Sequence, residues 1–142
     1  MKIFQSQWQF MKGQPLTVDQ GKGIPSDVYP NADTYCYHDF YELEFFTQGD
    51  GFHFLNSIPY AVKPGYLYLL FPGDFHYMQL KTDVWFNLWN LKIARFELNR
   101  KLIEIIAQYP RPYCVYLDND ETEFVLNEFR FLLECNRNKK WK

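Results

Sequence analysis

The sequence predicts a mainly β chain in which a barrel or sandwich of short antiparallel strands is followed by two helices. Aromatic residues make up 20% of the chain, with 14 Phe, 11 Tyr and 4 Trp, and such side chains favour strands while supplying large, rigid contact area. From Val28 to Lys92, short aromatic and β-branched runs are separated by turn signals at Pro30-Asn31, Gly49-Asp50-Gly51, Asn56-Ser57, Pro64-Gly65 and Pro72-Gly73-Asp74. Near-even punctuation of this kind marks an antiparallel sandwich or barrel. After Lys92 the apolar period lengthens from two residues to that of a helix.

In chain order, residues 1–27 read as an N-terminal strand, Ile3 to Phe10, and an arm whose Gly, Pro and Asp residues from Gly13 to Asp27 argue against regular structure. Residues 28–92 are the expected barrel and residues 93–142 a helical region. Leu98, Leu102, Ile105 and Ile106 recur at helical spacing through Arg95 to Gln108, and Pro110 and Pro112 end that helix. A short strand from Tyr113 to Leu117 leads to Asp118 or Asp120, either of which can cap a second helix. Its stripe is Val125, Phe129 and Leu132, widened by Phe124 and Leu133. Leu126 and Phe131 fall outside that stripe, giving the helix more apolar surface than one sheet needs. A homodimer through Val125, Phe129 and Leu132 is therefore expected; the alternative is that the helix packs entirely on its own barrel or on a following domain.

A chain of 142 residues is the size of one domain. Its 15 basic and 17 acidic residues give a net charge of −2, without the basic footprint of a phosphate-contacting protein, so this chain alone is not expected to bind DNA. The basic cluster Arg137, Lys139, Lys140 and Lys142 suits a solvated helix end. Cys36, Cys114 and Cys135 form an odd set without CxxC spacing, and the N-terminus carries no signal-peptide apolar region, which points to the cytoplasm. No apolar run is long enough to span a bilayer, so no membrane role is expected. Nucleophile-elbow, Walker-type and dinucleotide-binding motifs are also absent from the sequence.

Cys36, His38 and Glu42 sit at even spacing, so strand alternation points them to one face. A second segment from Gly65 to His76 is expected to face the first, bringing His38, Glu42 and His76 together in the mouth of the barrel, where small barrels hold small ligands. Glu42 must find a partner there, because a carboxylate is seldom buried alone. His53, between Phe52 and Phe54, is expected on the sheet surface or rim.

These residues resemble the two cupin motifs. His38, Glu42 and Gly49 keep the spacing of the first and Gly65 and His76 that of the second, with the fifteen residues Asp50 to Pro64 between them. The resemblance implies a cupin-like double-stranded β-helix, or jelly-roll, barrel. Cys36 stands where the metal-binding pattern has a His, and Leu80 where it has an Asn. No metal or other cofactor is expected; were one bound, Cys36, His38, Glu42 and His76 would be its ligands.

The stretch His38-Asp39-Phe40-Tyr41-Glu42-Leu43, the Gly49-Asp50-Gly51 turn and the run Pro64 to His76 are closer still to the effector-binding domains of AraC-like regulators. That resemblance covers about Tyr35 to Lys92 and implies a small-molecule effector, a sugar or sugar-like compound, together with a homodimer. DNA would be contacted only through a C-terminal helix-turn-helix domain that this chain does not contain. By position it adds Met78, Asn87 and Trp89 to His38, Glu42 and His76 as ligand-binding residues. Trp85, Asn87 and Trp89 share one strand face, an indole-and-amide surface suited to a sugar. A stand-alone metal-dependent cupin enzyme, a sugar isomerase or a dioxygenase, is the alternative.

Overall fold

The computed structural model describes residues 3–5, 10, 14–28, 35–109 and 113–138. Two five-stranded sheets pack face to face. One contains, in spatial order, β1 (Ile3–Gln5), β3 (Tyr35–Tyr37), β8 (Phe75–Leu80), β5 (Gly51–Leu55) and β6 (Ile58–Val62). The other contains β10 (Tyr113–Tyr116), β7 (Tyr66–Leu70), β4 (Phe40–Gln48), β9 (Phe86–Ala94) and β2 (Leu16–Gly23). The β1–β3 pair is parallel and the other pairs are antiparallel. Three helices complete the described residues: α1 (Pro25–Val28), α2 (Arg100–Ile106) and α3 (Asn119–Arg137). A cupin-like barrel followed by C-terminal helices is thus the fold.

Turns fall where their chemistry allows. Asn56 and Ser57 both adopt positive φ between β5 and β6, the conformation a two-residue hairpin matched to strand twist requires. Asn56 also donates to Asp74 and accepts from the Phe75 amide, tying this hairpin to the turn before β8. At Gly51 a Cβ would lie 2.2 Å from the Gln79 carbonyl oxygen, so only glycine lets β5 approach β8 so closely.

Two apolar clusters divide the interior. Phe46, Leu55, Val62, Tyr68, Leu70, Phe86 and Leu88 fill the lumen between the sheets. Val18, Phe45, Trp89 and Leu91 form the outer face of the second sheet, and α3 lies over them with Leu126 and Phe129. Asp118 caps α3 by accepting from the Glu121 amide, while the Glu121 carboxylate accepts from the Asp118 amide.

Several expectations change. The segment read as an irregular arm contains β2, which pairs with β9 along its whole length; burial of Val18 beneath α3 outweighs the weak strand propensity of Asp19, Gly21 and Gly23. The described part of the first strand ends at Gln5, and residues 6–9 lie outside the described residues. Strand β9 runs on to Ala94, so α2 begins only at Arg100, behind an Asn99 cap that accepts from the Lys101 amide. β10 extends the sheet beside β7. The barrel thus draws strands from both sides of residues 28–92.

The stripe Val125, Phe129 and Leu132, expected as a dimer surface, faces the chain's own sheet. Phe129 is 3% exposed, stacks on Phe45 and meets Trp89 at a tilt, and Leu126 is buried with it. The large hydrophobic residues left exposed on α3 are Phe124 and Phe131, at 67% and 61%. Phe129→Ala should accordingly cost about 3–5 kcal/mol of stability in urea unfolding, whereas Phe131→Ala should change it by less than about 0.5 kcal/mol.

Candidate functional site

Strand alternation sends Glu42, Glu44 and Phe46 of β4 into the lumen and Leu43 and Phe45 out towards α3. On β9 the lumen receives Phe86, Leu88 and Asn90, and the outer face receives Trp89 and Leu91. His53 enters from β5 and His76 from β8, while His38 follows the end of β3. The result is a layer of His38, Glu42, Glu44, His53, His76 and Asn90, all buried, on top of the apolar lumen cluster.

These groups are partners of one another. His38 Nε2 lies 2.6 Å from Glu42 Oε2, and its Nδ1 is 3.0 Å from the Phe40 carbonyl oxygen, with the ring stacked on the Phe40 ring. Asn90 donates to Glu42 Oε1 at 2.6 Å. His76 Nε2 is 3.6 Å from both Glu42 Oε2 and Cys36 Sγ. Its Nδ1 lies 3.0 Å from His53 Nε2, which is in turn 3.2 Å from Glu44 Oε2.

Burial and pairing set the charges. Burial pushes the Glu42 carboxyl up, but the His38 contact, the nearby imidazoles and the Asn90 amide outweigh it and hold the pKa at about 2. Glu44 lacks such support: burial and the Glu42 carboxylate keep its pKa well above the usual range, which favours the protonated carboxyl. Burial lowers His76 to about 4, and burial together with His76 holds His53 well below its ordinary value. Burial and the two glutamates raise the Cys36 thiol to about 11, so it is not an activated nucleophile. Among the described residues, His38 Nε2, Glu42 Oε2, Glu44 Oε2, His53 Nδ1 and Asn90 Oδ1 have no geometrically sound hydrogen bond.

Of the six residues expected to bind ligand, His38, Glu42 and His76 converge, and Met78 lies two residues further along β8, half-buried against the lumen cluster. Asn87 and Trp89 do not join them. Trp89 lies on the outer face beneath α3, and Asn87, two residues earlier on the same strand, accepts from Gln20; the two have the opposite parity to Asn90, which does reach the lumen. His53, expected at the rim, is completely buried, because β5 turns Phe52 outward and sends His53 and Leu55 inward. Glu44 and Asn90 were not singled out, although alternation from Glu42 points to Glu44.

The two sheets thus enclose a buried polar layer between them. The chain belongs to the family of AraC-like ligand binding domains, whose model matches residues 29–128. That membership makes it a ligand-binding domain of AraC-like type. Among solved structures it is similar to ToxT from Vibrio cholerae O395 bound to (E)-4-(8-methylnaphthalen-1-yl)but-3-enoic acid, with a TM-score of 0.54 and 12% identity, covering 87% of this chain and 50% of that one. It also matches unsaturated fatty acid bound wild-type ToxT from Vibrio cholerae strain SCE256, with a TM-score of 0.43 and 14% identity over 86% of this chain and 46% of that one. The chain therefore spans about half the length of these ToxT chains. No curated protein matches it. No described helix is long and apolar enough to cross a membrane.

Removing the Asn90 amide leaves a buried carboxylate one donor short. Asn90→Ala should cost about 1.5–3 kcal/mol in urea unfolding, while the exposed Arg95–Asp39 pair should contribute less than about 1 kcal/mol in a double-mutant cycle.

Proposed function

We propose that the chain is the effector-binding and dimerisation region of an AraC-family transcription regulator, and that its effector is a sugar or a similar hydroxyl-rich molecule held by the polar layer of the lumen. The observation that carries this reading is the set of buried acceptor-rich groups around Glu42 that the protein itself leaves incompletely hydrogen-bonded. Sugar hydroxyls are donors that can complete such a set. His38, Glu42 and His76, with Asn90, are the groups assigned to the ligand, and half-buried Met78 borders them. Asn87 and Trp89 are left out because Trp89 packs beneath α3 and Asn87, of the same parity, pairs with Gln20.

The ToxT structures were solved with a carboxylic acid and with a fatty acid, so acids form the competing class. Glu42 favours the sugar: a ligand carboxylate would be repelled by the buried Glu42 carboxylate, whereas a sugar hydroxyl would donate to it. In a thermal-shift screen, sugars should raise the melting temperature and fatty acids should not. Glu42→Gln should abolish the sugar shift, and Trp89→Phe should retain it. A shift produced only by fatty acids would assign the lumen to acids, and a sugar shift untouched by Glu42→Gln would move the site elsewhere.

Dimerisation in this reading uses the outward face of α3, around Phe124 and Phe131, instead of the inward stripe. Phe131→Glu should then convert a dimer into a monomer in sedimentation measurements with no loss of fold. A mass unchanged from that of a parent dimer would place the interface on another surface. Contact with DNA would rest with a helix-turn-helix domain outside these 142 residues.

A further inference from the structure

We propose that Glu44, His53 and His76 form a binding site for a zinc-class divalent cation in the barrel lumen, with a Glu44 carboxylate oxygen, His53 Nε2 and His76 Nδ1 as its protein ligands. The site shares His76 with the effector reading and lies beside its Glu42, but it is built on Glu44 and His53, which that reading does not use. It lies one step along β4 from Glu42 and takes one residue from each of three strands, β4, β5 and β8.

The spacing suits such an ion. Each of the three residues offers one ligand atom, and these atoms all lie within 4.8 Å of one another. His53 Nε2 is 3.0 Å from His76 Nδ1 and 3.2 Å from Glu44 Oε2. Tetrahedral zinc with metal–nitrogen bonds of about 2.0–2.1 Å sets neighbouring ligand atoms about 3.3 Å apart. Two imidazoles and one carboxylate also match the borderline transition metals better than calcium or magnesium, which take oxygen ligands.

An outer shell is already in position. Glu42 Oε2 faces the other nitrogen of His76 at 3.6 Å, where a carboxylate orients a ligating histidine, and Asn90 holds Glu42 from behind. Without a cation the trio is poorly satisfied, since Glu44 Oε2 is buried with no hydrogen-bond partner. A dication would balance the two carboxylates, Glu42 and Glu44, and would release to solvent the Glu44 proton and the proton between His53 and His76. His38, Glu42 and His76 form a second trio with ligand atoms within 4.8 Å. There, however, His38 Nε2 and Glu42 Oε2 are 2.6 Å apart, a hydrogen-bond separation tighter than metal ligands keep.

The test is to refold the whole chain with Co²⁺ alone, so that the buried ligand atoms assemble around the ion, and to read cobalt content, visible d–d absorption and melting temperature. The expected result is one cobalt per chain, a tetrahedral spectrum and a raised melting temperature. Glu44→Gln, which keeps the shape of the side chain, and His53→Gln should lose all three signals, while His38→Gln and Cys36→Ala should keep them. Far-ultraviolet circular dichroism checks folding; if His53→Gln fails to fold, Glu44→Gln decides. A parent free of cobalt after refolding, cobalt retained in Glu44→Gln, or cobalt lost in His38→Gln would each overturn the assignment.

Discussion

Strand β4 lies between β7 and β9, and its two faces carry opposite chemistry. Inward, Glu42 and Glu44 put two carboxyl groups into a closed lumen; outward, Leu43 and Phe45 join the apolar layer beneath α3. A shift of one residue in register would exchange these faces, sending carboxyl groups under the helix and leaving the imidazoles without partners. Burial of Glu42 is tolerable only because His38, His76 and Asn90 meet it from three other places in the chain, while Glu44, beside His53, favours the protonated carboxyl. The register of the second sheet, the seat of α3 and the composition of the lumen are therefore one constraint.

That constraint also indicates how the halves of the domain could communicate. Glu42 and Phe45 are three residues apart on one strand and Asn90 and Trp89 are adjacent on the next, so the polar layer and the seat of Phe129 share a backbone. A ligand that changes the packing around Glu42 and Asn90 acts on the strands that support α3. It can shift an equilibrium between two states of that helix only by its difference in affinity for them.

Much of this was legible in the sequence, for reasons tied to particular residues. The turn pair Asn56-Ser57 marked the β5–β6 hairpin and Pro72-Gly73 the turn before β8, the change of period after Lys92 announced helices, and Asp118 or Asp120 marked the cap of the second, with Asp118 the one that caps α3. Parity from Glu42 brought His38 and His76 together. Parity was also where the reading failed: placing ligand contacts at Asn87 and Trp89 rested on position in a related family, and the outer face claims both, while Asn90 in between points inward. His53 was misplaced because two flanking phenylalanines suggested that they were the buried pair; its partners, Glu44 and His76, come from distant strands and leave no local signal. Val125, Phe129, Leu132 and Leu133 of the α3 stripe do share the inward face, but Phe124, expected to widen it, is exposed and Leu126, expected outside it, is buried; a single sequence does not distinguish a face that meets its own barrel from one that meets a second copy.

All three histidines of the chain stand in the polar layer, so their imidazole resonances report on the lumen and nothing else. The most direct measurement is nuclear magnetic resonance of the histidine side chains during titration with the sugar that raises the melting temperature most. Binding in the lumen predicts that the His38 and His76 resonances move in proportion to occupancy, with His53 following through His76. Unmoved imidazoles, with the shifts confined to the indole of Trp89 and the amides of α3, would place the ligand outside the barrel and contradict the lumen as the effector site.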